Sequence, residues 1–189
     1  MLRNELKIAI RFTLLTTVLL GILYPLAVTA IGHLAMRPQA DGELIVTNAQ
    51  VTGSALIGQN FSSDLYFHGR PSAAGSGYDA TSSGASNYAA SNQKLISRID
   101  GDVAHYAAEN KDQPVPIDLV TASGSGLDPD ISPAAAMFQA AHVANARRLP
   151  LETVRTLVQH HIQGRQFGFL GEERVNVLLL NMDLDRLTR

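Results

Sequence analysis

The sequence predicts an α+β fold, a single mixed α/β extracytoplasmic domain preceded by one N-terminal transmembrane helix. Three observations predict it. Phe12 to Gly32 runs for twenty-one residues without a charge. Beyond it, short apolar runs punctuated by glycine and proline alternate with stretches of three- and four-residue apolar spacing, the mixture expected of strands and helices sharing one core. The chain has no cysteine, so neither disulfides nor thiolate metal sites stabilise it, and the remaining length suits one domain with its own core.

The first element is the membrane helix. At 1.5 Å per residue, the uncharged run spans about 30 Å, the thickness of a bilayer's hydrocarbon core. Arg3, Lys7 and Arg11 precede it against a single Glu5. A basic flank stays cytoplasmic, which places residues 1–11 in the cytoplasm, 12–34 in the membrane and 35–189 as a periplasmic α/β domain. A cleaved signal is the rival reading. Its apolar region is shorter, and Val28-Thr29-Ala30 is a weak site that the apolar run passes through to Leu34. Four threonines, Gly21, Gly32 and Pro25 interrupt the span, a composition that favours lateral packing on other membrane helices.

After the span, Leu44-Ile45-Val46 and the stretch to Phe61 read as strand and turn, with Ala55-Leu56-Ile57 as buried strand. Residues 62–92 turn to Gly, Ser, Ala and Asn but carry Tyr66, Phe67, Tyr78 and Tyr88, the mark of an ordered functional loop. Leu95, Ile96, Ile99, Val103 and Tyr106 predict an amphipathic helix between Tyr88 and Glu109. Ile117 to Thr121 reads as a short strand running into a Gly/Ser turn. Ser132-Pro133 starts a helix that ends at Arg147-Arg148, where cations suit the C-terminal dipole. Pro150 restarts a helix with Gly164 as its C-cap. Val175 to Leu180 reads as a buried strand, and Met182 to Leu187 as a final helical turn.

Charge and motifs narrow the function. The chain carries 15 Lys and Arg against 17 Asp and Glu, and setting aside Arg3, Lys7, Arg11 and Glu5 leaves 12 against 16 in the exterior part. That acidic balance argues against nucleic acid as a partner; membrane lipid is one through the helix. Gly53-Ser-Ala-Leu-Ile-Gly-Gln-Asn60 has phosphate-loop glycine spacing, but Gln59 and Asn60 stand where lysine and a hydroxyl are needed. Ser123-Gly-Ser-Gly126 lacks glycines at both flanking positions of a nucleophile elbow. Asp128 and Asp130 do not follow calcium-loop spacing. Adjacent His160 and His161 point about 100° apart on a helix, unlike i, i+4 metal ligands. No catalytic or metal residue is assigned. A membrane-anchored periplasmic binding module or hydrolase stays open, the latter requiring Ser123, Asp128 and a histidine to converge.

Four blocks in order, Gly53-Ser-Ala-Leu-Ile-Gly-Gln-Asn-Phe61, Tyr66-Phe-His-Gly-Arg-Pro-Ser-Ala73, Val120-Thr-Ala-Ser-Gly-Ser-Gly-Leu-Asp128 and Val175-Asn-Val-Leu-Leu-Leu-Asn181, resemble the C subunit of the bacterial Kdp-type potassium-transporting ATPase, a P-type pump. The resemblance implies a non-catalytic accessory subunit in the inner membrane. Its implied partners are a channel-like potassium-translocating subunit, a P-type ATPase subunit that carries the hydrolysis and a small membrane subunit. It also implies a role in assembly and in raising the ATPase subunit's affinity for ATP, with ATP as a ligand by resemblance only. At 83–87 the chain reads Ser-Gly-Ala-Ser-Asn where that family usually shows Ser-Gly-Gly-Ser-Asn, which implies that Ala85 does not need a glycine's backbone freedom. Within such a complex, Tyr66, Phe67 and Arg70 are of the types that anchor interfaces, and Ser83, Ser86, Asn87, Ser123, Ser125 and Asp128 are the polar binding or interface candidates of the Gly-rich blocks.

Overall fold

The computed structural model describes residues 2–47, 49–110 and 113–187, in two compact units that divide between Leu44 and Ile45.

The first unit is dominated by one continuous helix, Leu2–Ala35, 34 residues with a mean hydropathy of 2.1 over its most apolar window. It is long and apolar enough to cross a membrane. Within it, α1 (Leu2–Val18) passes through a π-helical turn, Leu19–Leu23, into α2 (Tyr24–Ala35), and the Tyr24 N–H reaches back to the Leu19 carbonyl. The cause is Pro25. Its ring crowds the preceding turn and it supplies no N–H, so the ladder widens by one residue just ahead of it instead of breaking. Thr16 returns its hydroxyl to the Phe12 carbonyl at 2.8 Å, which hides a polar group on an otherwise apolar surface. A single turn, α3 (Arg37–Ala40), follows.

The second unit is the mixed domain. β1 (Leu44–Thr47) and β2 (Gln50–Ser54) form a two-stranded sheet. No helix or strand follows until α4 (Gln93–Glu109), capped by the Asn92 side chain on the Lys94 N–H. A 3-10 turn at Ile117–Leu119 leads to β3 (Asp130–Ile131), α5 (Pro133–Arg147), α6 (Leu151–His160), β4 (Ile162–Gln163), β5 (Arg174–Asn176) and α7 (Val177–Leu187). β5 is the centre of an antiparallel three-stranded sheet of order β3-β5-β4, with Ile131 and Ile162 both opposite Val175.

α5 is the core helix. Ala135, Ala136, Ala140 and Ala144 are at most 2% exposed, and Phe138 and Val143 join them, so helix α6, the sheet and α7 close on several sides of a rod with short side chains. Ser132 starts it as expected, accepting from the Ala135 N–H, with Pro133 in the first turn. Asp118 in turn holds the Ser132 N–H and hydroxyl at 2.6 and 3.1 Å. Val154 and Val158 of α6, Val175 of β5, and Leu180 and Leu184 of α7 complete the core.

Four local expectations differ from the structure. Ala55-Leu56-Ile57 is a turn, because the Ser54 hydroxyl takes the Leu56 N–H and ends β2; Leu56 and Ile57 are exposed. Ile117 to Thr121 is a 3-10 turn closed by the Thr121 hydroxyl on the Ile117 carbonyl at 2.7 Å. Helix α6 ends at His161, short of Gly164. Only Arg174–Asn176 is strand, since Asn176 accepts from the Leu179 N–H at 3.1 Å and so acts as an N-cap that turns Val177 to Leu180 into helix.

Two buried amides tie the long 55–92 segment to this body. Asn181 on α7 accepts from the Phe67 N–H and donates to the Phe67 carbonyl, both at 2.9 Å. Gln139 on α5 accepts from the His68 N–H at 2.8 Å and donates to the His68 carbonyl at 3.1 Å. Each amide reproduces the paired bonds of an antiparallel strand neighbour. Replacing Asn181 with alanine leaves the buried Phe67 N–H and C=O both without partners. We expect Asn181→Ala to cost about 2–4 kcal/mol, well beyond a single exposed hydrogen bond, read as a fall in the thermal unfolding midpoint of the full-length protein in detergent; an unchanged midpoint would refute the clasp.

Candidate functional site

The site is built where the chain doubles back on itself: residues 58–87 lie against the 121–130 segment. Arg70 is the principal cross-link. Its Nη1 donates to Asp128 Oδ2 at 3.0 Å, its Nε to the Thr121 carbonyl at 3.2 Å and its Nη2 to Thr121 Oγ1 at 3.4 Å. Both charged partners are about a quarter to a third exposed. A guanidinium suits this place because its fixed fork serves a carboxylate and a carbonyl together.

Ser72 is a second knot. Its hydroxyl donates to the Gly126 carbonyl at 2.6 Å and accepts from the Ala74 and Tyr78 N–H groups at 3.2 and 2.7 Å. The Tyr78 hydroxyl returns to the Arg70 carbonyl at 2.6 Å. Further along, Ser83 Oγ and the Gly84 N–H both meet the Ser125 carbonyl, at 3.0 and 2.8 Å. Gly126 is required here. Its φ is +67°, and a Cβ on it would stand 2.6 Å from the Ala74 nitrogen and 2.7 Å from the Gly84 oxygen.

The glycine-spaced segment at 53–60 serves packing. A Cβ on Gly53 would meet Gln59 and the Leu178 side chain, and one on Gly58 would stand 2.6 Å from the Asp128 carbonyl. The Gly58 N–H is taken by the Leu127 carbonyl. These glycines are pressed against protein, so a phosphate does not fit at them, and no ATP site is drawn from this segment.

The other sequence candidates fall as follows. Tyr66 stands in a cluster in which Arg147 stacks 4.6 Å from its ring centroid, Phe61 lies at 5.5 Å and its hydroxyl reaches Asp185 at 3.2 Å. Phe67 is 0% exposed; its ring fills the core where an interface anchor would need the surface, because the Asn181 and Gln139 clasps pull that stretch inward. Ser83 and Asn87 are exposed and Ser86 half-buried. Asn87 takes a φ of +51°, while Ala85 is not among the positive-φ residues, which is why a Cβ is tolerated at 85. Ser123 Oγ accepts from the Gly126 N–H at 2.9 Å and lies 3.4 Å from Ser125 Oγ. Ser125 Oγ caps the Leu127 N–H. Asp128 holds Arg70 and the Asp130 N–H. Among the described residues no histidine is hydrogen-bonded to Ser123 or Asp128, so the hydrolase constellation does not assemble.

Three residues that carry this arrangement were missed from sequence. Gln139 and Asn181 sit inside helical apolar patterns, where a buried amide is the only warning sign. Arg147 suits the C-terminal dipole of α5, but its side chain also donates to the Leu65 carbonyl at 2.5 Å and pairs with Asp185 at 2.7 Å.

Beside the knot, a cleft of about 280 Å³ is lined by Phe61, His68, Arg70, Tyr78, Asp102 and Tyr106 among others. Burial, with Asp128 adding and Arg70 opposing, pushes the Tyr78 hydroxyl up to about 12. Burial, with Glu109 and Asp102 adding, does the same for Tyr106. Asp130 is raised above the usual carboxylate range by burial, opposed by Arg174 at 3.0 Å.

The geometry defines a class: an α+β protein with one N-terminal helix long and apolar enough to cross a membrane, whose Gly-, Ser- and Arg-rich segments are spent on holding one loop system rigid. The comparisons name the family. The profile of the family described as "K+-transporting ATPase, c chain" matches residues 6–186. Proteins named potassium-transporting ATPase KdpC subunit match over nearly the full length. That of Acidobacterium capsulatum is 53% identical, covering 97% of this chain and 99% of its own. That of Koribacter versatilis is 47% identical, covering 97% and 95%, and that of Mycobacterium bovis 49%, covering 98% and 100%. The chain belongs to the KdpC family of potassium-transporting ATPase subunits.

The two raised tyrosines give a pH test. Their folded values lie above the unfolded value of about 10, so the stability they contribute is full below pH 10 and is lost as pH rises through about 12. We expect the ultraviolet ionisation curve of the native protein to show a late-titrating phenol component that shrinks in Tyr78→Phe; a late component unchanged by that substitution would contradict the buried geometry.

Proposed function

We propose that this protein is a non-catalytic accessory subunit of a potassium-uptake ATPase that is needed to assemble and stabilise the pump. Phe12 to Leu34 docks laterally on the transport subunits, residues 1–11 stay in the cytoplasm, and residues 35–189 lie in the periplasm and cap or clamp the potassium entrance. The single observation that carries this reading is the uncharged helix behind a basic start: its apolar residues face outward along its whole length, the condition for contact with lipid and other membrane helices. The partners are the channel-like subunit, the P-type ATPase subunit and the small membrane subunit. An effect on the ATPase subunit's nucleotide affinity is carried by coupling through assembly: a partner that prefers one state of a pump shifts its ligand affinity without touching the ligand.

The proposed interface on the 61–88 loop is its exposed rim, Ser83, Asn87 and Tyr88, with Ser86 and Tyr66 in the same loop, and with Arg70, Ser123, Ser125 and Asp128 in the bonded layer beneath it. Arg70 and Asp128 support this by their bonding across the two segments.

Orientation is tested by thiol labelling in intact cells. Ser91 and Gln159 are exposed, and the native chain has no cysteine to compete. A membrane-impermeant reagent should label Ser91→Cys and Gln159→Cys without lysis; labelling only after lysis would overturn the periplasmic placement. The rim is tested separately by Tyr88→Ala, expected to lower recovery of the detergent-solubilised complex several-fold with the subunit's own unfolding midpoint unchanged. Full recovery would remove the rim from the interface.

A further inference from the structure

The β4–β5 connection carries an apolar tip that the fold does not use. In Arg165-Gln-Phe-Gly-Phe-Leu-Gly-Glu172, Phe167 is 87% exposed, Phe169 71% and Leu170 46%. The tip is nonetheless a built structure. Gln166 and Leu170 exchange both backbone hydrogen bonds at 2.9 Å, the Gly168 and Phe169 N–H groups reach the Arg165 and Gln166 carbonyls, and Arg165 pairs with Glu172 at 2.6 Å across the base. Its root is the antiparallel pairing of Gln163 with Arg174 and Ile162 with Val175, and Val175 is fully buried. Phe167 itself holds a φ of +53°, beside Gly168 at +81° and Gly171 at +76°. A bulky residue in that region is strained, and burial of its ring does not offset the strain here. A rigid hairpin that presents two aromatic rings outward, already ordered, is the form of a binding anchor whose ordering cost is met before association.

The local chemistry chooses the occupant. Glu172 and Glu173 flank the tip and are exposed, Arg165 is engaged with Glu172, and Arg174 pairs with Asp130. There is no lysine between residues 151 and 187 and no tryptophan in the chain. An anionic bilayer surface attracts segments with a cationic excess and with Trp or Tyr; here Arg165 and Arg174 are cancelled by Glu172 and Glu173, so nothing draws the tip to such a surface. An uncharged protein pocket fits it, since interface centres are depleted of charge and enriched in aromatic rings with polar groups at the rim. The chain is a member of a family of ATPase subunits, so another protein surface is its standing neighbour. We propose that Phe167, Phe169 and Leu170 insert into an apolar, uncharged pocket on another subunit of the same ATPase. This is a second contact, separate from the 83–88 rim, and it rests on family membership and not on the orientation of the membrane helix.

The test places a photo-reactive benzoylphenylalanine at 167 or 169 in the full-length chain, co-expressed with the other subunits in cells, and reads the adducts by mass spectrometry. Alongside it, Phe167→Ala/Phe169→Ala is measured for recovery of the solubilised complex. Two results are required: an adduct with another subunit of the pump, and a fall in recovery of about tenfold or more. Adducts only with phospholipid, only with a second copy of this chain, or with nothing, overturn the proposal, as does recovery at the unsubstituted level. The adduct needs no alanine variant, so a double variant that misfolds does not rescue a negative cross-link, and Tyr88→Ala reports on the rim independently.

Discussion

The domain depends on two buried carboxamides acting as strand edges. The segment between β2 and α4 is about forty residues with no helix or strand of its own, and a segment of that length normally lies on the surface as a mobile connection. Here Phe67 is held inside and His68 half-buried beside it, because Asn181 and Gln139 satisfy both polar groups of each residue's backbone. The burial of Phe67 follows from this. An irregular backbone enters a core only when its N–H and C=O groups find partners, and the two amides supply four such bonds at adjacent residues.

That constraint propagates outward in both directions along the loop. Upstream, Leu65 and Tyr66 are held by Arg147, which also reaches Asp185 on α7, so α5 and α7 are joined through the loop as well as directly. Downstream, Arg70 and Ser72 fasten the chain to Thr121, Gly126 and Asp128. Six of the residues between 65 and 72 therefore have a specific partner on another element. The hydrogen bonds compensate for a segment that contributes few apolar side chains, and each is short enough to matter only while the others keep its geometry.

The elements legible in the sequence were those written in local rules. The apolar span, the Ser132-Pro133 helix start and the amphipathic pattern of α4 were readable because charge, capping and period are properties of neighbouring residues. Three of the four errors share one cause, a side chain that bonds to nearby backbone and redirects it. Val177 to Leu180 has the composition of a buried strand, and only the Asn176 side chain on the Leu179 N–H shows that the chain turns helical there. Of the site, the Gly- and Ser-rich blocks were recognised as a family signature, but which of them touch was not readable. Arg70 and Asp128 are 58 positions apart and Phe67 and Asn181 114 apart, and no local period connects such pairs. Gln139 and Asn181 look like ordinary polar residues on helices until their partners are known.

The contrast between the two aromatic regions separates structure from recognition in this chain. Tyr66 and Phe67 had the composition of an interface and are consumed by the fold: one is stacked under Arg147, the other sealed in the core. Phe167 and Phe169 lie in a short stretch with no length or periodicity to mark it, yet they stand clear of the domain on a hairpin that is hydrogen-bonded, ion-paired and strained. An aromatic residue that contributes to the core lowers the free energy of folding by its burial. One held outward at positive φ raises it, and natural chains keep such positions where something outside the fold uses them. By that criterion the surface of this subunit is asymmetric. Its Gly- and Ser-rich face is mostly bound to itself and offers a narrow polar rim, while the β4–β5 tip offers apolar area left exposed by the described residues of its own unit.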